Sequence, residues 1–186
     1  MSAPHHHDST VEQILELHEK FEPPEGHKAE VIGGNIIVSP SPSGRHGLIC
    51  VRLQAQLSRL LPADLVVTTM VTLSMPATSE RYIPDLLVIS ADILNTDEWL
   101  FPAGDAELVV EVVSPSNART DRVTKVRGYA ASGVPIYLLV DPLERSVTSS
   151  SEPAGECYQQ VHRVPFGASI ELPKPYSGKL DTSVFA

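Results

Sequence analysis

The order of apolar and polar positions divides the N-terminal third of the chain into a helix, a hairpin and a second helix. Apolar residues at intervals of three and four predict a helix over Val11–His18, which should end before Pro23. Two short strand-like runs, Lys28–Ile32 and Asn35–Val38, are joined by a pair of glycines and therefore predict a β-hairpin. A second amphipathic helix begins near Arg45 and should cover one face of a sheet.

Longer apolar runs in the middle of the chain predict the central strands. Leu65–Leu73, Tyr82–Ser90 and Leu108–Val113 are rich in β-branched and aliphatic residues, with turn-rich or polar connections between them. A helix over Thr120–Ser132 leads through a Gly and a Pro into the apolar strand Ile136–Val140. This sequence of elements is typical of a β-α-β crossover between parallel strands.

The C-terminal part predicts antiparallel strands at the edge of the sheet, namely Ser146–Ser150, Cys157–Val161 and Ser169–Leu172. A length of 186 residues is typical of one domain, and the chain contains no internal repeat. We therefore expect a single α/β domain over residues 1–186. Its mixed central β-sheet should be flanked by helices, with an N-terminal hairpin, C-terminal antiparallel strands and a mobile tail over residues 1–10.

Composition and charge narrow the classes of function. Hydrophobic residues make up 42% of the chain, but the longest apolar runs are too short to cross a bilayer. The N-terminus lacks the basic and apolar regions of a secretory signal, and the two cysteines are far apart, so we expect a cytoplasmic protein with reduced thiols. A net charge of −9 argues against a protein that coats nucleic acid through a broad basic surface. It does not exclude a phosphodiester-cleaving enzyme, because metal ions can supply positive charge.

Two carboxylates interrupt otherwise apolar strands. Glu111 shares a strand face with Val109 and Val113, and an ionised, unpaired carboxylate there would cost on the order of several kcal/mol. A metal ion, a lysine or a raised pKa could compensate it. Asp85 follows Pro84 and stands at the start of another apolar run, so the two acids could converge on one hard cation.

A lysine on the following helix is the nearest suitable cation for such a site. Asp121, Lys125 and Tyr129 are spaced by four and form one stripe, which could lean over the ends of the strands. An Asp, a Glu and then a Lys match the needs of metal-assisted phosphodiester cleavage. Three structural alternatives stay open: a buried ion pair at Glu111, a turn cap at Asp85, and a solvated Asp121–Lys125 pair.

Four segments of the chain resemble the Uma-two family of restriction-endonuclease-like proteins. They read EVIGGNIIVSPSPSGRHGLI, YIPDLLVIS, LVVEVVSPSN and DRVTKVRGYAASGVPIYLLVDP, and together they cover Glu30–Pro142. The family belongs to the PD-(D/E)XK nuclease superfamily, whose domains carry an Asp and a Glu-x-Lys pair on adjacent strands of a mixed sheet. The resemblance implies a restriction-endonuclease-like core.

The resemblance also implies roles for individual residues. Asp85 and Glu111 would be ligands of Mg²⁺ or Mn²⁺, with the backbone carbonyl of Val112 as a third ligand. Val113 stands where the superfamily places its lysine, so the cation would come from Lys125 on the helix.

The same resemblance implies roles for two further residues and indicates the binding partners. Glu30 corresponds to an acid that such folds bring near the metal, and His46 could contact a substrate phosphate or orient Glu30. The expected function is a magnesium-dependent endonuclease that acts as a homodimer on nucleic acid, with DNA favoured over RNA. The alternative is a regulatory module on the same fold that binds nucleic acid or protein without cleavage. A third, purely structural interpretation treats the buried acids as internal struts.

Overall fold

A computed structural model of the chain describes residues 6–174, 176 and 178–185. The α-helices within these residues are α1 (His6–Lys20), α2 (Gly44–Leu57), α3 (Ala91–Leu94) and α4 (Lys125–Ala131). The strands are β1 (His27–Ile32), β2 (Asn35–Pro40), β3 (Leu65–Thr68), β4 (Thr72–Met75), β5 (Glu80–Tyr82), β6 (Leu86–Ser90), β7 (Leu100–Pro102), β8 (Ala106–Val112), β9 (Ile136–Asp141), β10 (Ser146–Ala154), β11 (Cys157–Pro165), β12 (Ser169–Glu171) and β13 (Lys179–Asp181). A π-helical turn over Thr120–Thr124 leads directly into α4.

The strands form a mixed six-stranded sheet, a five-stranded sheet and a small two-stranded sheet. The five-stranded sheet is antiparallel except for the parallel pair β4 and β7. The largest sheet has the order β11-β10-β9-β8-β6-β3, in which only β8 and β9 run parallel. The second sheet has the order β2-β1-β5-β4-β7. The predicted mixed sheet, the crossover through α4, the N-terminal hairpin and the C-terminal antiparallel strands are confirmed.

Helices cover both faces of the six-stranded sheet, which explains why its central strands are apolar at nearly every position. On one face, Leu53 of α2 packs in a cluster with Leu86 and Val110. On the opposite face, Tyr129 of α4 packs in a second cluster with Leu87 and Val109. Since side chains alternate along β8, Glu111 lies on the same face as Val109, towards α4.

Two predicted strands are each divided between the two large sheets. The predicted strand Leu65–Leu73 breaks at Met70, whose φ of 63° lies in the left-handed region, so that β3 and β4 enter different sheets. The predicted strand Tyr82–Ser90 breaks at Pro84, because proline cannot donate a backbone hydrogen bond to a continuous ladder. The second break leaves Asp85 directly before β6, where the sheets diverge.

The predicted helices are present with different bounds. Helix α1 begins at His6 rather than at Val11, and the predicted tail falls partly on residues 1–5, which lie outside the described residues. Helix α2 begins at Gly44, where the side chain of Ser43 accepts a hydrogen bond from the amide of His46. Among the described residues, no helix is long and apolar enough to cross a membrane.

Candidate active site

A cleft of about 600 Å³ opens where β6 begins and β8 ends. The N-terminal turn of α2, strand β1, and the π-helical turn with α4 complete its walls. Asp85, Glu111 and Lys125 all line this cleft, and so does His46. The fold therefore brings together residues that are separated by up to 79 positions, since Lys125 and His46 come from helices on opposite faces of the sheet.

Glu111 and Lys125 form a buried, hydrogen-bonded pair. Lys125 Nζ lies 2.9 Å from Glu111 Oε1, and each residue is 2% exposed. The hydroxyl of Tyr129 donates a second hydrogen bond of 2.9 Å to the same oxygen. Burial raises the pKa of Glu111 to about 8, outweighing the opposite effect of Lys125. No hydrogen bond to Oε2 of Glu111 exists among the described residues, so this oxygen is left for a group in the cleft.

Glu30 supplies the second partner of the lysine. Its Oε1 lies 2.8 Å from Lys125 Nζ and accepts a 2.7 Å hydrogen bond from the amide of Ile83. Burial alone would raise the pKa of Glu30, but the charges of Lys125 and Lys28 and the Ile83 amide together hold it below its usual value. Glu30 is therefore ionised at neutral pH and balances the charge of Lys125, whose pKa stays above its usual range despite its burial.

Asp85 is fixed by strand β8 and by α2. Its Oδ2 accepts a 2.8 Å hydrogen bond from the amide of Val112, and its Oδ1 lies 3.1 Å from Nε2 of His46. Lys28 Nζ is 3.9 Å from the same Oδ1. Burial acts to raise the pKa of Asp85, but His46, Lys28 and the Val112 amide lower it below its usual value. In a strand, the N–H and C=O of one residue face the same edge, so the Val112 carbonyl also faces the side of Asp85.

The histidine lies against Asp85 rather than against Glu30. Its backbone amide caps α2 on Ser43, which positions the ring at the cleft wall. Of the two roles predicted for His46, contact with a substrate phosphate is compatible with this position. The other prediction, that His46 orients Glu30, is wrong, because Lys125 and the amide of Ile83 hold Glu30 in place.

Asp121 is an additional acid of the cleft that the sequence interpretation treated only as a surface partner of Lys125. It is 4% exposed, lines the cleft, and its carboxylate has no hydrogen-bond or ion-pair partner among the described residues. Burial raises its pKa to about 6, although Lys125 opposes this shift. The spacing of four residues between Asp121, Lys125 and Tyr129 could have indicated that Asp121 belongs to the cleft, because all three residues lie on one helix face and all three are buried. The interpretation of Lys125 as a residue of a solvated surface is therefore wrong.

The donor set of the cleft matches the chemistry of a hard divalent cation. Asp85 and Glu111 offer carboxylate oxygens on adjacent strands, and Val112 offers a carbonyl on the same side. Over residues 6–174, 176 and 178–185, no group of three His, Cys, Asp or Glu side chains is already close enough to hold a metal ion. An ion at this site would therefore be held by two carboxylates and a backbone carbonyl rather than by three side chains, and Oε2 of Glu111 could bind it without losing a hydrogen bond to the described residues.

Cysteine chemistry is a poor alternative at this site. Cys50 also lines the cleft, but burial, together with the charges of Asp85 and Glu111, raises the pKa of its thiol to about 12. A thiol with this pKa is not a thiolate near neutral pH and is a weak nucleophile. The polar chemistry of the cleft therefore rests on its carboxylates and on Lys125.

Comparison with known proteins supports the fold and identifies the family. The crystal structure of a protein described as a putative nuclease belonging to DUF820, from Anabaena variabilis, has the same fold, with a TM-score of 0.72 over 94% of this chain and 96% of that chain. The two chains are 19% identical, so the likeness establishes the fold alone. Curated proteins contain no match to the sequence.

The family is established by the sequence itself. The profile of the Uma2 family, described as "putative restriction endonuclease", matches residues 11–184, and the chain belongs to this family. The resemblance found in four segments is therefore confirmed over almost the whole chain. Family and fold together support a nuclease-like function.

Proposed function

We propose that the protein is a magnesium- or manganese-dependent endonuclease that hydrolyses phosphodiester bonds of nucleic acid, with DNA as the favoured substrate. The observation that carries this proposal is the convergence of Asp85, Glu111 and Lys125 in one cleft, where none of the described residues donates a hydrogen bond to Oε2 of Glu111. Membership of a restriction-endonuclease family and the nuclease-like fold support the same class of reaction.

Asp85, Glu111 and the carbonyl of Val112 would hold the divalent ion. When bound, such an ion lowers the pKa of a water molecule and polarises a phosphoryl oxygen. Of these groups, Asp85 is ionised at neutral pH, because its pKa lies below its usual value. Glu111 must lose its proton to act as a ligand, since its pKa is raised to about 8.

Charged side chains around the ligands would position and stabilise the reacting phosphate. Lys125 keeps its proton, so it would offset negative charge that develops beside Glu111. Glu30 holds Lys125 in place through its 2.8 Å contact. His46 and Lys28, which both approach Asp85 from the cleft side, would contact the phosphate of the substrate.

One observation favours the alternative of a binding module that does not cleave. Lys125 is held between Glu30 and Glu111 and is 2% exposed, so it must change partners before it can contact a phosphate. The net charge of −9 also favours a protein that does not cleave. A protein of this kind would keep the cleft and bind nucleic acid without turnover.

A cleavage assay with matched variants separates the two functions. Single-stranded DNA, duplex DNA and RNA are incubated with the protein in magnesium, in manganese and in EDTA. We expect metal-dependent cleavage by the wild type, and a loss of about 100-fold or more in Glu111→Gln. Glu107→Gln, which changes a carboxylate on the same strand outside the cleft, is the control and should retain activity. If both variants cleave equally, Glu111 is not a ligand, and if wild type binds without cleavage, the binding module is correct.

We also propose that two copies of the chain pair through β11. This nine-residue strand ends the six-stranded sheet, and its outer edge has no partner among the described strands. Val161, near its middle, is exposed. Light scattering coupled to size exclusion should give a dimer for the wild type and a monomer for Val161→Lys, whereas the same mass for both proteins would contradict pairing at this edge.

A further inference from the structure

The walls of the cleft are much more apolar than its floor. The carboxylates and Lys125 form the floor, and the walls carry apolar residues, namely Pro40, Pro42, Met70, Pro84, Pro115 and Leu143, between small uncharged polar residues such as Ser41, Thr69 and Asn117. Met70 is 78% exposed and has a φ of 63°, an unfavourable backbone conformation for this residue type. Leu143 is also exposed, so both side chains are available to a molecule in the cleft.

The basic groups around the cleft are few. Lys28, Arg45, His46 and Lys125 are the basic residues among its described lining. Lys125 is held by two glutamates, and His46 lies against Asp85. Arg45 is exposed at the start of α2 and has no ion-pair or hydrogen-bond partner in the described part of the chain. Proteins that grip a DNA duplex neutralise roughly 6–10 phosphates with lysine and arginine, which this cleft cannot do.

The size and depth of the cleft also match a nucleotide better than a double helix. A volume of about 600 Å³ lies within the range of pockets that enclose small organic ligands. Glu111 and Lys125 are almost fully buried at its floor, so a phosphate must enter the cleft to meet them. A flexible single strand can bend a backbone phosphate down to this floor, whereas a duplex holds its phosphates on a stiff cylinder.

From the apolar walls, the sparse cations and the buried floor, we infer that the cleft accepts an unpaired nucleic-acid strand in preference to a duplex. The inference rests on the proposed function, because it identifies the substrate of the same site. Bases would pack against Met70 and Leu143, while Arg45 contacts the backbone. Packing of this kind tolerates any base sequence, since every base offers an apolar face.

Binding of labelled DNA tests the inference independently of cleavage. Fluorescence anisotropy is measured with a single strand of about 12 nucleotides and with the same strand fully paired, in EDTA and in magnesium. We expect the single strand to bind about tenfold more tightly than the duplex, and Met70→Ala and Arg45→Ala each to weaken single-strand binding about fivefold or more. Val51→Ala and Arg59→Ala are the matched controls, because these residues are also exposed but lie outside the cleft.

The outcomes distinguish this inference from the proposed function. Equal or tighter binding of the duplex, absence of single-strand binding, or a Met70→Ala affinity equal to that of Val51→Ala would overturn the inference. If the duplex binds more tightly and is cleaved, the inferred preference for an unpaired strand is wrong, but the endonuclease function stands. If the single strand binds with the expected preference but is never cleaved, the inference stands and the endonuclease function fails.

Discussion

Lys125 Nζ lies 2.8 Å from Oε1 of Glu30, and this buried contact joins the two large sheets. Glu30 belongs to β1 of the five-stranded sheet, whereas Lys125 begins α4, which packs on the six-stranded sheet. The same ammonium contacts Glu111 of β8. The charged centre of the candidate site is therefore also a structural connection, and changes to it should affect both stability and activity.

Removal of the lysine charge should strongly destabilise the protein. Lys125→Met keeps the length of the side chain but leaves Glu30 ionised and buried without its main counter-charge, which should cost about 3–5 kcal/mol in the free energy of unfolding. Urea denaturation measures the loss. The double variant Lys125→Met/Glu30→Gln should recover at least half of it, because the uncompensated charge is then absent. A double variant as unstable as the single variant would contradict this explanation.

The unpaired carboxylate of Asp121 should make stability depend on pH. The pKa of Asp121 is raised to about 6 in the folded state, so the folded protein retains a proton that the unfolded chain loses near pH 4. Stability from this group is therefore fully present below about pH 4 and is lost as the pH rises through about 6. Asp121→Asn should be the more stable protein at pH 7, by on the order of 2 kcal/mol.

The measurement is a series of urea denaturations of wild type and Asp121→Asn between pH 4 and 8. The difference between the two proteins should grow from pH 4 to 6 and stay constant above pH 7. Asp64→Asn, on an exposed loop, is the control and should follow the wild type. A difference that is independent of pH would mean that Asp121 does not titrate as proposed.

A single methyl group on α4 should disturb the lysine indirectly. A Cβ atom at Gly128 would lie 2.5 Å from the hydroxyl of Tyr82, whose ring lies 5.6 Å from Lys125 Nζ. Gly128→Ala should therefore displace the ring or the helix and cost about 1–3 kcal/mol, even though alanine has the higher helix propensity. Thermal unfolding measures this loss. Tyr82→Phe is the reference background, because it removes the nearest atom but also loses the hydrogen bond to Glu80. Gly128→Ala should cost less in Tyr82→Phe than in the wild type, and an equal cost in both would place the clash elsewhere.

Acid should weaken the connection between the π-helical turn and β9. Arg122 Nε lies 2.7 Å from Oδ2 of Asp141, and the amides of Leu143 and Glu144 donate to Oδ1 at 3.0 Å. Burial acts to raise the pKa of Asp141, but Arg122 and these amides hold it below its usual value. Stability from this group is therefore present above about pH 4 and is lost as the pH falls below that value.

Asp141→Asn tests this acid dependence. At pH 7 the variant should lose about 1 kcal/mol, which is the usual size of a partly exposed ion pair with hydrogen bonds. The loss should shrink as the pH falls to 3, because the wild type then loses the same interaction. Arg122→Gln should show the same trend, and a constant difference between variant and wild type across this range would contradict it.

The sequence predicted the elements whose apolar pattern is long and regular. The acids of the site were also recognisable, because Glu111 and Asp85 interrupt or begin apolar strands, where a charge requires compensation. Lys125 and Tyr129 could be assigned to one helix face from their spacing alone. The predictions of the elements succeeded because each depends on local periodicity, whereas the roles of the acids and of Lys125 in a site stay predictions.

Features that depend on contacts between distant segments were not predicted. The divisions at Met70 and Pro84 arise because the chain passes from one sheet to the other, which no local pattern encodes. Strands β7 and β13 have three residues each, too few for an alternation to be recognised. The burial of Asp121 follows from how the π-helical turn faces the cleft, and helical spacing alone does not distinguish the buried face from the solvated one.

The break at residues 83–85 places the two large sheets on either side of one ammonium group. The connection between β5 and β6 is three residues long, with Glu30 on a strand of one sheet and Glu111 on a strand of the other. Because Lys125 Nζ contacts both carboxylates, the seam between the sheets is closed by charge at this point. An anion that draws the ammonium away would weaken this seam, so that occupancy of the cleft and cohesion of the two sheets are linked through a single side chain.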